Sequence, residues 1–442
     1  MPNPKVTLVI RGGTLVTPDG TIRQDLAIAG DTVVEVAASI SPPSGVTVLN
    51  AEGALVGPGL VDLHTHLRQP GREEAETVES GARAAALGGY TAVVAMPNTE
   101  PPIDSAGVAR DVLALGRTAL AEVAVAGAIT VARSGKALAP MAELAALGVR
   151  LFTDDGAGVQ DGALMRRALD YAKGINVTLA QHCEDECLSG GGAMHEGCWS
   201  SRLGLPGIPA AAEESMVARD IQLVRLTGAP IHFLHLSTAG SVDLVRRAKA
   251  EGLPVTAEAA PHHMLLTHAE VAGYDPVFKV NPPLRADEDV AAVIIGLTDG
   301  TIDAIATDHA PHAPETKDAP FDQAPPGMLG LQTALPIACH VLSPLLGPER
   351  IFALMSSQPA AIAGLGVTDA RIAGHSAHGG PLVAGATANI CVFDPAEVTV
   401  VDPTRLASRS RNTPYAGRSF TGAVRHTILR GEPVVIDAAA QR

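Results

Sequence analysis

The feature of the sequence that most constrains the fold is a regular alternation in its middle part. Between residues 58 and 370, short apolar runs alternate with Ala-, Leu- and Arg-rich stretches of helical pattern. The runs are apolar throughout, as is typical of parallel strands buried on both faces. Eight such strands alternating with helices indicate an α/β fold, a (β/α)8 TIM-type barrel. The eight runs are 60–66, 91–96, 122–128, 150–154, 176–182, 230–235, 254–260 and 302–308.

The two ends of the chain have a different pattern. Residues 1–57 and 371–442 contain short β-branched runs separated by Gly-, Pro- and Asp-rich turns. Each end is short for an independent domain. We therefore expect both ends to combine into one small β-sandwich domain, with residues 58–370 forming the barrel domain.

Composition excludes several classes of function. The 442 residues carry a formal net charge of −15, which repels nucleic acid, and 3% aromatic residues offer few stacking platforms. Five scattered cysteines do not make a disulfide scaffold. The sequence has neither a signal-peptide pattern nor an apolar run of 18 residues. We expect a cytoplasmic protein without nucleic-acid or membrane partners.

Metal-capable side chains occur where the predicted strands end, and the active sites of barrels lie at the carboxyl ends of their strands. His64 and His66 are two residues apart on the first strand, so they point to the same face. Buried histidines and carboxylates are costly unless they are paired or bind a metal. Imidazole and carboxylate together suit zinc or another first-row divalent ion. Further candidates at strand ends are Asp154, Asp155, His182, His235 and Asp308.

A family resemblance extends over essentially the whole chain. Eight segments occur in the order found in the dihydroorotase family, which the chain resembles; H-x-H-x-R and MPNT separate that family from its sister enzymes. The resemblance implies a distorted barrel with a small β-domain built from both ends. The segments are DLHTHLRQPG (62–71), AMPNTEPPID (95–104), FTDDG (152–156), QHCED (181–185), FLHLST (233–238), PHH (261–263), KVNPPLR (279–285) and IATDHAPH (305–312).

The resemblance also implies a set of metal ligands. Many relatives bridge two metals with a carboxylated lysine, but no lysine occurs between Lys136 and Lys173. Asp155 matches the aspartate bridge of a bacterial subgroup, whereas Asp154 should face away because strand residues alternate. One or two zinc ions are implied, with two favoured, and manganese and cobalt stay open. The implied ligands are His64, His66, Asp155, His182, His235 and Asp308.

The activity implied by the resemblance is the reversible hydrolysis of the cyclic amide of (S)-dihydroorotate to N-carbamoyl-L-aspartate, in pyrimidine (UMP) biosynthesis. A metal-bound hydroxide would be the nucleophile, because zinc lowers the pKa of bound water to about 7. Asp308 would act as general base and then as general acid towards the departing ring nitrogen.

Six residues match the substrate contacts of the family. Arg68 suits a bidentate pair with the substrate carboxylate. Relatives usually have a bulkier apolar residue in place of Pro326, and proline has no N–H, so an amide contact there falls to Gly327 or a neighbour. The proline-rich stretch 310–330 is expected to close over the substrate. The six residues are Arg68, Asn98, Asn281, His312, Pro326 and Gly327.

Other polar residues are expected to matter less. The spacing of Cys183, Cys187, His195 and Cys198 does not match a zinc knuckle. Asp62 either orients a ligand or caps its strand. For His262 and His263, a supporting role and a satisfied core position both stay open. Adjacent to Asp308, His309 should face away, and His375 and His378 should be solvated.

Two alternatives to a catalytic dihydroorotase stay open. One is a hydantoinase or allantoinase, which usually keeps the bridging lysine and lacks the combination of Arg68 with MPNT. The other is a non-catalytic homologue that scaffolds aspartate carbamoyltransferase, although such homologues have lost metal ligands. The resemblance suggests a homo-oligomer and leaves aspartate carbamoyltransferase open as a partner.

Overall fold

The computed structural model describes residues 5–366 and 375–442. The predicted domain boundary at residue 371 lies outside these ranges. Within them, no helix is both long enough and apolar enough to cross a membrane.

The N-terminal region folds into short strands joined by tight turns. The strands are β1 (Leu8–Arg11), β2 (Thr14–Thr17), β3 (Gly20–Arg23), β4 (Asp25–Ala29), β5 (Thr32–Ala37), β6 (Thr47–Asn50) and β7 (Leu55–Pro58). Four of them form one sheet in the order β5-β4-β1-β6, with β1 and β6 parallel. The buried Asp25 carboxylate accepts the N–H groups of Gly12 (2.8 Å) and Ile40 (2.9 Å), which fixes the turns around this sheet.

In the middle region, the eight predicted strands are confirmed in position. They are β8 (Leu60–Thr65), β9 (Tyr90–Ala95), β10 (Glu122–Val125), β11 (Leu151–Phe152), β12 (Thr178–Gln181), β15 (Ile231–Phe233), β16 (Val255–Ala259) and β17 (Ala304–Ile305). Between β12 and β15 the chain makes an excursion that contains the short parallel pair β13 (Met194–His195) and β14 (Gly207–Ile208). The long interval between the apolar runs 176–182 and 230–235 contains this excursion.

These strands pair in chain order and in parallel, as β10-β9-β8 and as β11-β12-β15-β16-β17. Two isolated parallel bridges join the edges of these sheets, Gly127 to Phe152 and Thr65 to His309. The carboxyl ends of all eight strands therefore lie on the same side, where their terminal side chains can meet.

Helices follow the strands as the sequence spacing predicts. Thr77 begins the first helix with a capping box, because its side chain accepts the Ser80 N–H. The helices are α1 (Val78–Leu87), α2 (Ala106–Gly116), α3 (Met141–Ala145), α4 (Gly162–Gly174), α5 (Glu186–Ser189), α6 (Cys198–Leu203), α7 (Ala211–Thr227), α8 (Ala239–Ala250), α9 (Asp287–Asp299), α10 (Pro314–Lys317), α11 (Ala334–Leu342), α12 (Pro348–Phe352) and α13 (Gln358–Ile362).

The C-terminal strands join the N-terminal ones. They are β18 (Ile390–Val400), β19 (Ser419–Leu429), β20 (Glu432–Ile436) and β21 (Ala439–Ala440). β18 pairs antiparallel with β7, so one mixed sheet in the order β21-β20-β19-β18-β7-β2-β3 contains both ends of the chain. Ile10, Ile28, Ile390 and Ile428 pack in one buried apolar cluster. The two ends thus share a sheet and a core.

Two histidines do not lie where the sequence places them. His375 and His378 were expected in solvent, but His378 is buried and both contact the carboxylate of Glu122 at the start of β10, at 2.8 and 3.3 Å. The Ser376 N–H also donates to Glu122 (2.9 Å). The expectation was wrong because a glycine-rich context says nothing about a distant buried acceptor.

Glu122 therefore connects the segment after residue 374 to the middle sheet. Burial opposes its ionisation, but bonds from His375, His378 and Ser376 outweigh burial and hold the pKa of Glu122 below its usual 4.5. A carboxylate whose pKa is lowered by folding stabilises the fold at pH values above its pKa in the unfolded chain. This contribution is lost as the pH falls towards the pKa of the folded state.

We predict that Glu122→Gln lowers the free energy of unfolding by about 2 kcal/mol at pH 7, because hydrogen bonds to a partly buried charge are lost. The difference from the native protein should shrink as the pH falls below the usual pKa of 4.5, because the unfolded chain then takes up a proton at Glu122 while native Glu122, with its lowered pKa, stays ionised. Urea unfolding at pH 7, 5 and 4 measures this. A difference that grows below pH 4.5 would contradict the prediction.

Candidate active site

The site is organised around the carboxylate of Asp155, which follows β11. Its Oδ1 faces His64 Nε2 at 3.4 Å, His182 Nδ1 at 3.4 Å and His235 Nε2 at 3.5 Å. Its Oδ2 faces His66 Nε2 at 3.6 Å. Four imidazoles from three strand ends thus converge on one buried carboxylate.

Asp308, after β17, completes the cluster. Its Oδ1 lies 3.6 Å from His64 Nε2 and 3.4 Å from His66 Nε2. The backbone here is left-handed, with φ +47° at Asp308. The preceding Thr307 is held by Asp62, which accepts the Thr307 N–H at 2.7 Å. Asp62 lies on β8 and also accepts the hydroxyl of Thr65 on the same strand. Through Thr307 it therefore connects the first of the eight strands to the end of the last.

The donor atoms fit a divalent metal ion. His64, His66 and Asp155 offer ligand atoms within 4.8 Å of one another, and so do Asp155, His182 and His235. Among the described residues, His64 Nε2 is buried without a hydrogen-bond partner. A buried nitrogen of this kind aimed at two carboxylates is explained by a bound cation. The shared Asp155 is placed to contact ions in both triplets.

Both carboxylates of the cluster are ionised. Burial by itself would raise the pKa of Asp155, but the contacts with His64, His182 and His235 hold it well below its usual value. Burial likewise opposes ionisation of Asp308, and the surrounding histidines again lower its pKa. Two buried negative charges that contact the same imidazoles favour a bound cation in the cluster.

His64 is oriented by a residue that the sequence analysis missed. The buried Glu258, on β16, faces His64 Nδ1 at 2.9 Å and His232 Nε2 at 3.0 Å. These contacts outweigh burial and lower the pKa of Glu258 to about 2. An ionised Glu258 accepts the Nδ1–H of His64 and leaves Nε2 as a free ligand. The available signal was a glutamate inside an otherwise uncharged strand.

His66 has a corresponding partner. Its Nδ1 lies 2.8 Å from Asn98 Oδ1, so the imidazole donates to the amide oxygen and presents Nε2 to the cluster. Burial first, and then the nearby Arg68, lower the pKa of His66. A neutral imidazole is the form that binds metal. Asn98, predicted as a substrate contact, therefore orients a cluster histidine.

All six predicted substrate contacts line one cavity of about 240 Å³, together with most of the cluster. Arg68 is buried, and its Nε donates to the Pro311 carbonyl (3.1 Å). Burial and Arg72 lower the pKa of Arg68 to about 10, so it stays charged at neutral pH. The cavity thus combines an anion-binding group with the acidic and imidazole groups of the cluster. The six are Arg68, Asn98, Asn281, His312, Pro326 and Gly327.

His312 stands beside Arg68. Its Nε2 donates to the Pro326 carbonyl (2.8 Å) and lies 3.5 Å from Arg68 Nη2. Burial and the charge of Arg68 lower the pKa of His312 to about 3, so the ring is neutral at pH 7. The Gly327 N–H, one of the amide donors that the sequence leaves open, donates to the Lys279 carbonyl (2.9 Å). An amide contact with a ligand at this wall would then come from a neighbour of Gly327.

Asn281 leads to another missed residue. Its Nδ2 donates to Glu184 Oε2 (2.8 Å), which in turn lies 3.8 Å from His182 Nε2. Glu184 lies inside the QHCED segment, two residues after His182. Its position beside the ligand was readable from the motif, but its contact with residue 281 needed the fold.

The remaining candidates lie outside the cluster. Asp154 faces away and accepts the N–H groups of Ile129 and Thr130. His309 Nε2 faces Glu76 at 3.2 Å. His262 Nε2 lies 3.9 Å from Asp308 Oδ2, a supporting position, whereas His263 Nε2 lies 3.0 Å from the Pro282 carbonyl.

The cysteines form no part of the cluster. Cys183 is buried and free, and Cys187 and Cys198 are exposed and free. The metal-capable groups found within the described ranges contain histidine and aspartate only.

Comparison with solved structures shows which known proteins share this fold. L-hydantoinase (dihydropyrimidinase) from Arthrobacter aurescens matches with a TM-score of 0.87 over 99% of this chain and 98% of its own, at 23% identity. D-hydantoinase from Thermus sp. matches with a TM-score of 0.82 over 98% and 96%, also at 23% identity. At this identity the likeness concerns the fold. The His/Asp cluster adds a candidate metal site to this fold.

Sequence relatives identify the family. The chain is 47% identical to the dihydroorotase of Streptomyces coelicolor over 97% of its length and 98% of that protein. It is equally similar to the dihydroorotase of Leifsonia xyli subsp. xyli, over 98% and 97%. The dihydro-orotase-like family model matches residues 53–241. The chain belongs to the dihydroorotase family.

We predict that Glu258→Gln weakens the binding of a divalent metal about 10- to 100-fold, because His64 loses the acceptor that fixes its tautomer. Titration of metal-stripped protein with zinc measures this. Glu122→Gln is the matched control, since Glu122 also accepts from two histidines but lies outside the cluster. Unchanged zinc affinity in Glu258→Gln would contradict the prediction.

Proposed function

We propose that this chain catalyses the reversible hydrolysis of (S)-dihydroorotate to N-carbamoyl-L-aspartate, within the synthesis of pyrimidines. The observation that carries the proposal is the cavity that combines Arg68, for the substrate carboxylate, with the metal-capable cluster. The family to which the chain belongs supports the same reaction.

The proposed metal is zinc, with two ions favoured over one. His64, His66 and Asp308 would hold the first, His182 and His235 the second, and Asp155 would contact both. When bound, a divalent ion of this kind polarises a carbonyl and lowers the pKa of a water ligand to about 7.

The protein groups supply orientation and proton transfer. Arg68 binds the carboxylate, and neutral His312 adds a second donor when its one N–H, on Nε2, turns from the Pro326 carbonyl to the substrate. These contacts turn the ring amide towards the cluster. Water oxygen bonds to the amide carbon, and the ring C–N bond breaks. Ionised Asp308, next to His66 and His262, takes the proton of the attacking water and delivers it to the ring nitrogen.

We also propose the architecture around this site. The eight parallel strands form a closed (β/α)8 barrel, supported by the bridges Gly127–Phe152 and Thr65–His309. Residues 1–57 and 371–442 form the small β-sandwich domain, supported by the sheet and core that they share, and residues 58–370 form the barrel domain. We place the protein in the cytoplasm as a homo-oligomer, with aspartate carbamoyltransferase as a candidate partner.

Dihydroorotate turnover by the purified protein tests the function, with hydantoin and allantoin as comparison substrates. Turnover of dihydroorotate alone supports the proposal. Preference for hydantoin or allantoin would replace the substrate but keep the class. If the protein shows no turnover and binds no metal, the scaffolding alternative is favoured.

We predict that Asp308→Asn lowers kcat by about 10²- to 10⁴-fold, because the amide cannot accept a proton. Steady-state kinetics measure this, with metal content determined on the same samples. If Asp308→Asn retains its metal and turns over at the native rate, Asp308 is not the base.

We predict that Arg68→Met raises KM for dihydroorotate at least about tenfold, with a smaller effect on kcat, because a charged contact to the carboxylate is lost. The matched control is Arg72→Met, since Arg72 lies at the same cavity but pairs with Glu100 on the surface. If KM rises as much in Arg72→Met as in Arg68→Met, the effect comes from the loss of a positive charge near the cavity and not from a contact between Arg68 and the carboxylate.

A further inference from the structure

The loop after β17, residues 310–330, is drawn together at its base. The Ala310 N–H donates to the Met328 carbonyl (2.8 Å), which joins the outgoing and returning arms. His312 lies on the outgoing arm and Gly327 on the returning arm, and both line the cavity. The geometry of this base therefore determines the shape of one cavity wall.

A side chain from the C-terminal region fills the base of the loop. Asn412, 5% exposed, donates through Nδ2 to the carbonyls of Ala310 (2.9 Å) and Gly327 (3.1 Å). Its Oδ1 accepts the His312 N–H (3.1 Å), and its own carbonyl accepts the Leu329 N–H (3.1 Å). One residue thus binds both arms through its side chain and its backbone.

The segment that carries Asn412 is itself anchored at the site. The buried carboxylate of Glu76 accepts the hydroxyl of Ser408 and the Arg409 N–H (3.2 Å), and it also faces His309 Nε2 (3.2 Å). His309 directly follows Asp308. Glu76 therefore holds the C-terminal segment and the end of β17 in one fixed relation.

We infer that Asn412 is a positioning residue for the substrate carboxylate: by fixing the base of loop 310–330 it sets the place of His312, and through Pro311 that of Arg68. The Pro311 carbonyl, one residue before His312, is the acceptor of Arg68 Nε. The inference rests on the proposed function, because it concerns the same cavity. Asn412 itself acts through the loop and not on the reacting atoms.

The chemistry of the position requires an amide. Two carbonyl oxygens need donors, and one N–H needs an acceptor, and asparagine supplies both from a short side chain. Aspartate would keep the acceptor but place a carboxylate beside two carbonyls. Alanine would leave all three groups unpaired in a buried site.

The test compares Asn412→Ala and Asn412→Asp with the native protein in dihydroorotate hydrolysis. Both variants should raise KM at least about tenfold and change kcat less than about threefold. This pattern is expected when the substrate and the transition state lose the same amount of binding energy. If Asn412→Ala does not fold, the nearly isosteric Asn412→Asp provides the measurement. An unchanged KM in a folded variant overturns the inference.

Asn389→Ala is the matched control. Asn389 is 3% exposed; its Nδ2 donates to the Ala377 carbonyl and the Ser376 hydroxyl, and its Oδ1 accepts the Arg430 N–H. Its substitution removes the same number of side-chain hydrogen bonds, three, outside loop 310–330. A similar loss of Tm with a native KM is expected. A KM rise equal to that of Asn412→Ala would overturn the inference, because lost stability alone would then explain it.

Trypsin cleavage after Lys317, inside the loop, gives a readout that does not depend on turnover. Both Asn412 variants should be cleaved several-fold faster than the native protein and Asn389→Ala, and N-carbamoyl-L-aspartate should slow cleavage of the native protein. Faster cleavage with an unchanged KM overturns the inference and leaves the proposed function standing. Absence of turnover in the native protein overturns the proposed function, while the cleavage rates still report whether Asn412 holds the loop.

Discussion

The buried carboxylate of Asp155, surrounded by four imidazoles, is the interaction on which the site depends. A charge with 3% of its residue surface exposed is tolerated only when opposite charge or hydrogen-bond donors surround it. No single strand could supply four imidazoles, so several strands must end at one place. A parallel sheet provides this, because its carboxyl ends lie on one side. The cluster can therefore form only if the strands are arranged in parallel with their carboxyl ends together.

Buried carboxylates recur throughout the molecule, and each joins segments that are far apart in sequence. Asp62 joins β8 to the end of β17, and Glu258 joins β16 to His64 on β8. Glu122 joins β10 to residues 375–378, and Glu76 joins the C-terminal segment to His309. An ionised carboxylate accepts several donors at once, and its burial penalises any fold in which one donor is missing. These groups thus specify how the segments are arranged.

The sequence predicted the cluster because every strand-end ligand follows an apolar run, a pattern that reads without tertiary knowledge. The eight strand positions were recovered for the same reason. Glu258, Glu184 and Asn412 were not predicted as site residues. Each contacts a residue 97 or more positions away in the sequence. Glu258 lies inside a strand and Asn412 in a C-terminal loop, and no periodic pattern marks either position. His375 and His378 were misplaced because local composition carries no information about Glu122, some 250 residues distant.

Asn98 shows how metal and substrate recognition become inseparable at such a site. Its Oδ1 faces His66 Nδ1, so only Nδ2 is left to donate to a ligand in the cavity. An amide cannot rotate to improve one bond without moving the other, because its oxygen and nitrogen are fixed in one plane. A ligand group that meets Nδ2 therefore meets a donor whose position is set by His66. The MPNT segment thus couples the orientation of a cluster histidine to the wall of the cavity.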